Sequence, residues 1–404
     1  MLSFLFFLGL LLPQDLQALV SFESRLTSGY YRDSIKKNHL TLNYNWRFNY
    51  THQSGVETFI DFGVNNNFVQ DEWGLYPYQA YVSIPLAEAF EKTPFHIPRV
   101  QVGRQLLTDG FEFALIDGAV MPYYFSPRLY AKLFAGALHI PEDTPENSFN
   151  DQLYGGSLSY RLSGAILKGG GIFKQNQSAE RYLSYFTIYK NFEALPLTPG
   201  ILIKEQFDVK EKSHDQSLIE LRAHLAKISG TLFHSSRRVD PLLSQKKRLI
   251  YQLFAVDKQK SFGTTGTWDI HEMLQIEGRF ERVEYHSRVR KEIGDQGTGS
   301  LIIGNNNYSI SPFLTRLSSY GGYFWDYGLS SKIRLKRELS LELESNTIKY
   351  KKINGMSGFA YHALAGISLV FPPNWQAKAL IELERNHLYK LDSRALFHVS
   401  HFYF

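Results

Sequence analysis

Leu40-Thr41-Leu42-Asn43-Tyr44-Asn45-Trp46-Arg47-Phe48-Asn49-Tyr50 alternates without an error, with apolar or aromatic residues at the even positions and polar ones at the odd positions. A side-chain period of two belongs to a β-strand, because successive side chains leave an extended backbone on opposite faces. The stretch is longer than the roughly 5–6 residues at which soluble strands cluster. It has the length of the about 9–11 residues that a tilted strand needs to cross a bilayer. The pattern recurs at Val56, Thr58, Ile60, Phe62 and Val64, and at Ile219, Leu221, Ala223 and Leu225 against Glu220, Arg222 and His224. It returns at Tyr323, Trp325, Tyr327 and Leu329, at Leu339, Leu341 and Leu343, and at Ala377, Ala379, Ile381 and Leu383. One face is bulky and apolar, and the other is often charged. In a membrane barrel the apolar face meets lipid and the charged face a wet lumen.

Bulk properties fit that reading. The 404 residues have no Cys, which excludes disulfides and thiolate metal sites, and mean hydropathy is only −0.25. Alternating strands cancel in such an average, so a low value does not argue against membrane. Aromatic residues make up 15%, with 30 Phe and 25 Tyr, which suits strands and interfacial girdles. The net charge of +5 is too small and dispersed for a nucleic-acid footprint.

The first residues carry Leu2, Phe4, Leu5, Phe6, Phe7, Leu8, Leu10, Leu11 and Leu12, then Pro13 and Leu16-Gln17-Ala18. This is the length of a signal-peptide apolar region and too short to span a bilayer, so 1–18 is expected to be a signal and 19–404 the barrel. Tight turns are expected at Leu162-Ser163-Gly164, Lys336-Arg337-Glu338 and Pro372-Pro373-Asn374, and longer loops at 142–151 and 288–319. Asn65-Asn66-Asn67 and Asn305-Asn306-Asn307 read as loop material. The expected fold is all-β, a transmembrane antiparallel β-barrel of about 18 strands, within 16 to 20. The turns at Arg337 and Pro372 fall on the periplasmic side, since the last strand must end there.

The chain closes on Leu396-Phe397-His398-Val399-Ser400-His401-Phe402-Tyr403-Phe404, with Phe404, Phe402 and Leu396 at period two. This ending resembles the terminal signal by which bacterial barrel-assembly machinery recognises its substrates, although His398 and Ser400 on the same face depart from it. The resemblance implies that machinery as a partner through Phe404. Outer-membrane lipid and lipopolysaccharide would be further partners.

One stretch breaks the rhythm: Val102-Gly103-Arg104-Gln105-Leu106-Leu107-Thr108-Asp109-Gly110-Phe111-Glu112-Phe113-Ala114-Leu115-Ile116-Asp117-Gly118-Ala119. It resembles the "GRQ … DG" segment of outer-membrane porins of the alginate-export type and their substrate-specific porin relatives, with Gly103, Arg104, Gln105, Asp117 and Gly118 matching. The resemblance implies a charged constriction there, with Asp109 and Glu112 as neighbours. It carries one difficulty: Arg104 shares strand parity with Val100 and Val102, which read as lipid-facing, so a bulge or a position beyond the membrane band is needed. A structural Arg–Asp pair holding a loop is the competing reading. A second candidate is a basic ladder of Lys132, Arg161, Lys168, Lys174 and Lys204 on successive lumen faces, which would draw anions. Glu220, Glu277, Glu342, Glu344, Glu382 and Glu384 on other strands could balance it.

Catalysis is not expected. A Ser–His constellation could be drawn from His234-Ser235-Ser236 or from His398 and Ser400 with His401, but such adjacency is expected by chance among 13 His, and adjacent strand residues point to opposite faces. No G-x-S-x-G, H-E-x-x-H or Walker loop occurs, and nothing calls for a cofactor, metal or nucleic acid. The expected function is a porin-like channel for small hydrophilic, anionic solutes or polysaccharide. The alternative is a structural or adhesive barrel with a plugged lumen and partner-binding loops.

Overall fold

The computed structural model describes residues 19–32, 37–86, 99–139, 151–175, 180–193, 195, 197–238, 258–286, 291–319, 322–352, 355–371, 374–385 and 392–403. The expected signal at 1–18, the loop at 142–150, Pro372, Pro373 and Phe404 lie outside them.

Strands β1 to β8 are Leu19–Arg32, Asn38–Thr51, Glu57–Asn67, Glu72–Pro85, Arg99–Asp109, Glu112–Tyr124, Leu129–His139 and Gln152–Leu162. Strands β9 to β15 are Ala165–Gln175, Glu180–Asn191, Gly200–Asp208, Ser213–Leu225, Ile228–Arg238, Lys258–His271 and Leu274–His286. Strands β16 to β22 are Lys291–Gly304, Tyr308–Ser319, Gly322–Lys336, Leu339–Lys352, Ser357–Phe371, Trp375–Arg385 and Asp392–Tyr403. Each pairs antiparallel with the next, and β22 pairs with β1 from Phe22↔Tyr403 to Tyr30↔Ala395, so the sheet closes on itself.

The described barrel thus has 22 strands, where the sequence pointed to about 18. Part of the difference lies at 288–319, expected as one long loop, where β16 and β17 stand instead. Their outward positions include Gly297 and Gly299, so the alternation is faint. Asn65 to Asn67 likewise belong to β3 rather than a loop, and the Asn67 amide meets the His39 ring at 2.9 Å. The turns at Ser163-Gly164 and Arg337-Glu338 are where expected. Connection length does not sort by end: β4 and β5 are joined by 13 residues on the side of both chain termini, while the two-residue β5–β6 turn stands at the other end.

Which face meets lipid follows from burial along the strands. Tyr327, Leu329, Leu343, Leu221, Leu232, Ile381 and Leu383 are exposed, whereas the residues between them are polar or charged. Apolar side chains left outward around a closed sheet need a hydrocarbon solvent, and a closed sheet leaves no unpaired edge inside it. Aromatic stacking thickens this outer face: Trp46 lies between Tyr44, with centroids 3.8 Å apart, and Phe62, at 4.6 Å.

The ending of the chain differs from the expectation in one respect. Leu396, His398 and Ser400 share the lumen side, since His398 Nδ1 is 2.9 Å from Thr27 Oγ1 and Arg394 meets Glu384 and Asp392. The lipid side of β22 is carried by Phe397, which is exposed. The side chains of Phe402 and Tyr403 lie outside the described residues.

Candidate functional site

A wall strand in so wide a barrel looks inward onto the lumen, so burial on the inner side means that something lies against it. On β5 and β6 that side carries Gln105 and Leu107, then Ala114 and Ile116, with exposures of 3%, 2%, 9% and 0%. Leu107, Ala114 and Ile116 cluster with Phe134 of β7, Leu153 of β8, Ile172 of β9, and Leu183 and Tyr185 of β10. The ladder between β4 and β5 stops at Ala80↔Arg104, although β5 runs on to Asp109. Beyond Arg104 the β5–β6 hairpin therefore leaves the wall and folds its inner face onto β7–β10. Its other face, with Leu106 exposed, turns to the lumen.

The tip is anchored by one carboxylate. Asp109 accepts from Lys132 Nζ at 2.5 Å, from Lys168 Nζ at 2.7 Å, from Ser157 Oγ at 3.3 Å and from the Tyr185 hydroxyl. These partners come from four consecutive strands and from neighbouring rows of the sheet, because Lys132 pairs Ser157, Ser157 pairs Gly170 and Gly170 pairs Tyr185. Lys132 Nζ also donates to the Thr108 carbonyl at 3.1 Å. Phe111, at the turn, reaches β11, where Lys204 Nζ stands 6.0 Å from its ring centroid.

Glycine permits the tight turn. Gly110 has φ +57°, a left-handed value costly for most residues, and a Cβ there would come 2.8 Å from the Tyr185 ring. Gly110→Val is therefore expected to dislodge the tip while the wall strands still form. Channel recordings should show raised conductance with an unchanged heat-modifiable band on gels. A wild-type conductance would refute the docking of this turn.

The root is held by Arg104. Its Nε and Nη2 donate to the two Asp117 carboxylate oxygens, each at 2.6 Å, and Nη1 donates to the Pro77 carbonyl at 3.1 Å. This is a bidentate fork, the stronger form of an Arg–carboxylate contact. No bulge brings Arg104 to the other face, so the parity argument holds and the inward fold of the hairpin resolves its difficulty. Gln105 is buried and donates to the Gln101 and Gly118 carbonyls, both at 3.3 Å, so it braces the hairpin rather than facing solute. Glu112 stands opposite Asp109 in the hairpin register, and its side chain lies outside the described residues.

The basic ladder divides. Lys132 and Lys168 converge on Asp109. Arg161 is on the lumen side but one residue from the end of β8, at the rim. Lys174 is buried, 7% exposed, beside Arg181 in the register and away from the hairpin anchor.

Sequence reading missed Tyr185 and Ser157, and also a buried network above them. Arg181 donates to Asp208 at 2.9 Å and to Asp215 at 2.5 Å, and Gln206 donates to Asp215 at 2.9 Å. All four residues are 4% exposed or less. Gly169-Gly170-Gly171 on β9 was the available signal, since three adjacent glycines in a strand mark a close approach by another element.

No protein-family model matches the sequence, and no curated protein does. Solved structures do. The translocation pore of the P pilus usher PapC aligns with a TM-score of 0.55 at 8% identity, over 95% of this chain and 99% of that one. Acinetobacter baumannii OccAB3 aligns at 0.50 and 9% identity, over 96% and 99%. Pseudomonas aeruginosa OpdO aligns at 0.49 and 10% identity, over 96% and 97%. The fold is that of an outer-membrane β-barrel. The usher pore and OccAB3 are alike in fold to this chain over nearly their whole length, at identities too low to carry a substrate across.

Proposed function

We propose that the chain is an outer-membrane channel for small hydrophilic solutes, with its selectivity set where the β5–β6 hairpin folds inward. The observation that carries this reading is Asp109 docked between Lys132 and Lys168 on the lumen wall. Two ammonium groups against one carboxylate leave the anchor basic, and Lys204 adds to it beside Phe111.

The opposite wall carries carboxylates interleaved with cations. In a ring of 22 strands β9 and β20 are half a turn apart, and around β20 lie Glu342, Glu344, Glu382 and Glu384. Glu342 is met by Lys378 at 2.5 Å and Lys332 at 3.7 Å, Glu382 by His362 at 3.1 Å and Arg394 at 3.8 Å, Glu384 by Arg394 at 3.4 Å, and Glu344 by His362 at 3.9 Å. A solute crossing between these walls meets a basic anchor on one side and a nearly balanced, ion-paired face on the other. Such an arrangement suits small anions, and polysaccharide carrying carboxylates is the narrower version.

Charge reversal tests it. Lys168→Glu changes the anchor by two charges and sets a second carboxylate beside Asp109, an interaction worth roughly 4 kcal/mol per pair near 4 Å at an effective dielectric of about 20. The zero-current potential in a salt gradient should move toward cation preference. Arg161→Glu, at the rim, should move it much less, because screening in water acts over about 10 Å at 0.1 M salt. Equal shifts would remove the hairpin as the selective element. Folded protein that never conducts in planar bilayers would favour the structural or adhesive reading.

A further inference from the structure

On the lipid side of β17–β20, near the end away from the chain termini, cations and aromatic rings share neighbouring rows. The register sets Arg316 opposite Trp325, Trp325 opposite Lys349 and Lys349 opposite Phe359. The next row outward holds Tyr323 opposite Lys351, and the row inward holds Tyr327 opposite Thr347, with Tyr361 beyond. Arg316, Lys349 and Lys351 are exposed, as are Trp325 and Phe359. The Arg316 guanidinium lies 5.4 Å from the Trp325 ring centroid, and Lys349 Nζ 5.9 Å from that of Phe359.

These cations differ from those of the lumen. Lys132, Lys168, Arg181, Lys378 and Arg394 each meet a carboxylate. Among the described residues none pairs with Arg316, Lys349 or Lys351. An uncompensated cation facing hydrocarbon is unfavourable, and its cost falls only near the interface. The aromatic ring set puts the cluster at that level, where Trp and Tyr keep an apolar body in lipid and a polar edge in water. Below it the surface is apolar, with Leu314, Leu329 and Leu343 exposed. Strands stand about 4.8 Å apart, so Arg316 and Lys349, two strands apart, bracket a span of about 10 Å. That is a headgroup's width, open to the side on which acyl chains lie.

We propose that Arg316, Lys349 and Lys351, with Trp325 and Phe359, bind the phosphate-bearing headgroup of a lipid in the outer leaflet. Arg316 offers the planar fork that suits phosphate, and the lysines add point charges. The rings fix the depth of the headgroup and take its acyl chains along the apolar strip below.

The test uses the full chain in nanodiscs of phosphatidylcholine doped with phosphatidic acid. Lipid retained by the protein is read by native mass spectrometry. The wild type should retain phosphatidic acid over phosphatidylcholine, and Arg316→Gln/Lys349→Gln/Lys351→Gln should lose that preference. Each cation near an anionic lipid is worth about a five-fold change in binding, so the triple variant should bind about 100-fold more weakly. Its conductance in a neutral bilayer should be unchanged, because the cluster is outside the lumen. Should the triple variant fail to assemble, Lys351→Gln alone, in the outermost row, should give a partial loss. Equal retention by wild type and variant would overturn the proposal. So would inorganic phosphate displacing the lipid as readily as added phosphatidic acid does, since the site would then take a free anion.

Discussion

Asp109→Ala is expected to raise conductance and anion preference together. The carboxylate has no exposed surface, and it gathers two lysines, a serine and a tyrosine from β7, β8, β9 and β10. Truncating it leaves Lys132 and Lys168 facing each other without their counter-ion, and stripping one partner from a buried ionic contact costs about 3–5 kcal/mol. A loss of that size moves a docked-to-free equilibrium by a factor of more than about 100. The apolar contacts of Leu107, Ala114 and Ile116 remain, so the hairpin should swing on its Arg104–Asp117 root rather than unfold. Single-channel recordings would show larger and noisier currents, with the reversal potential nearer that of the anion. Asp109→Asn separates the two effects. It keeps an acceptor for Tyr185 but not the charge, so selectivity should shift with a smaller change in conductance. Wild-type currents from both variants would mean that Asp109 does not hold the constriction.

Leu221→Arg should prevent or strongly slow assembly of the barrel. Leu221 projects from the lipid side of β12 and is 48% exposed. A lipid-facing Arg costs about 2–4 kcal/mol at the midplane of the bilayer, and no carboxylate shares that face beside it. Leu202→Arg is the matched control: on β11 it lies on the lumen side, opposite Glu220 in the register. It should fold and conduct. Refolding into lipid vesicles, followed by heat-modifiable migration, gives the readout. Equal yields for the two variants would contradict the assignment of faces.

The lipid face was legible in the sequence because lipid imposes a rule at every second position. Leu40 to Tyr50, Tyr323 to Leu329 and Ala377 to Leu383 all keep it, and all form strands with that face outward. Where the outward residue is glycine the rule leaves no trace. Gly230, Gly266, Gly278 and Gly299 stand side by side in one row across β13–β16. The strand count fell short partly in this region. The charged residues of the ladder were placed on the correct side by parity alone. Parity could not show that Asp109 would be folded back among them, because that contact joins residues far apart in the chain through a bend that local pattern does not encode. Arg104 illustrates the same limit. Its pairing with Asp117 was an open alternative, and its face was right, but the element carrying it turned inward.

Closure of the ring has a consequence for the order in which the molecule is made. Every other wall contact joins strands that follow each other in the chain, so each can form as soon as its hairpin exists. The β1–β22 seam joins residues about as far apart as the sequence allows, as with Thr27 and His398, 371 positions apart. It spans only Phe22↔Tyr403 to Tyr30↔Ala395, whereas β1 and β2 are paired from Leu19↔Thr51 to Arg32↔Asn38. The seam is therefore the last ladder to zip, although the β4–β5 ladder, from Ala80↔Arg104 to Pro85↔Arg99, is shorter still. A force applied at the carboxyl end would peel β22 and then remove hairpins from that side inward. The docked β5–β6 hairpin, deep in the opposite half of the chain, would be among the last features lost.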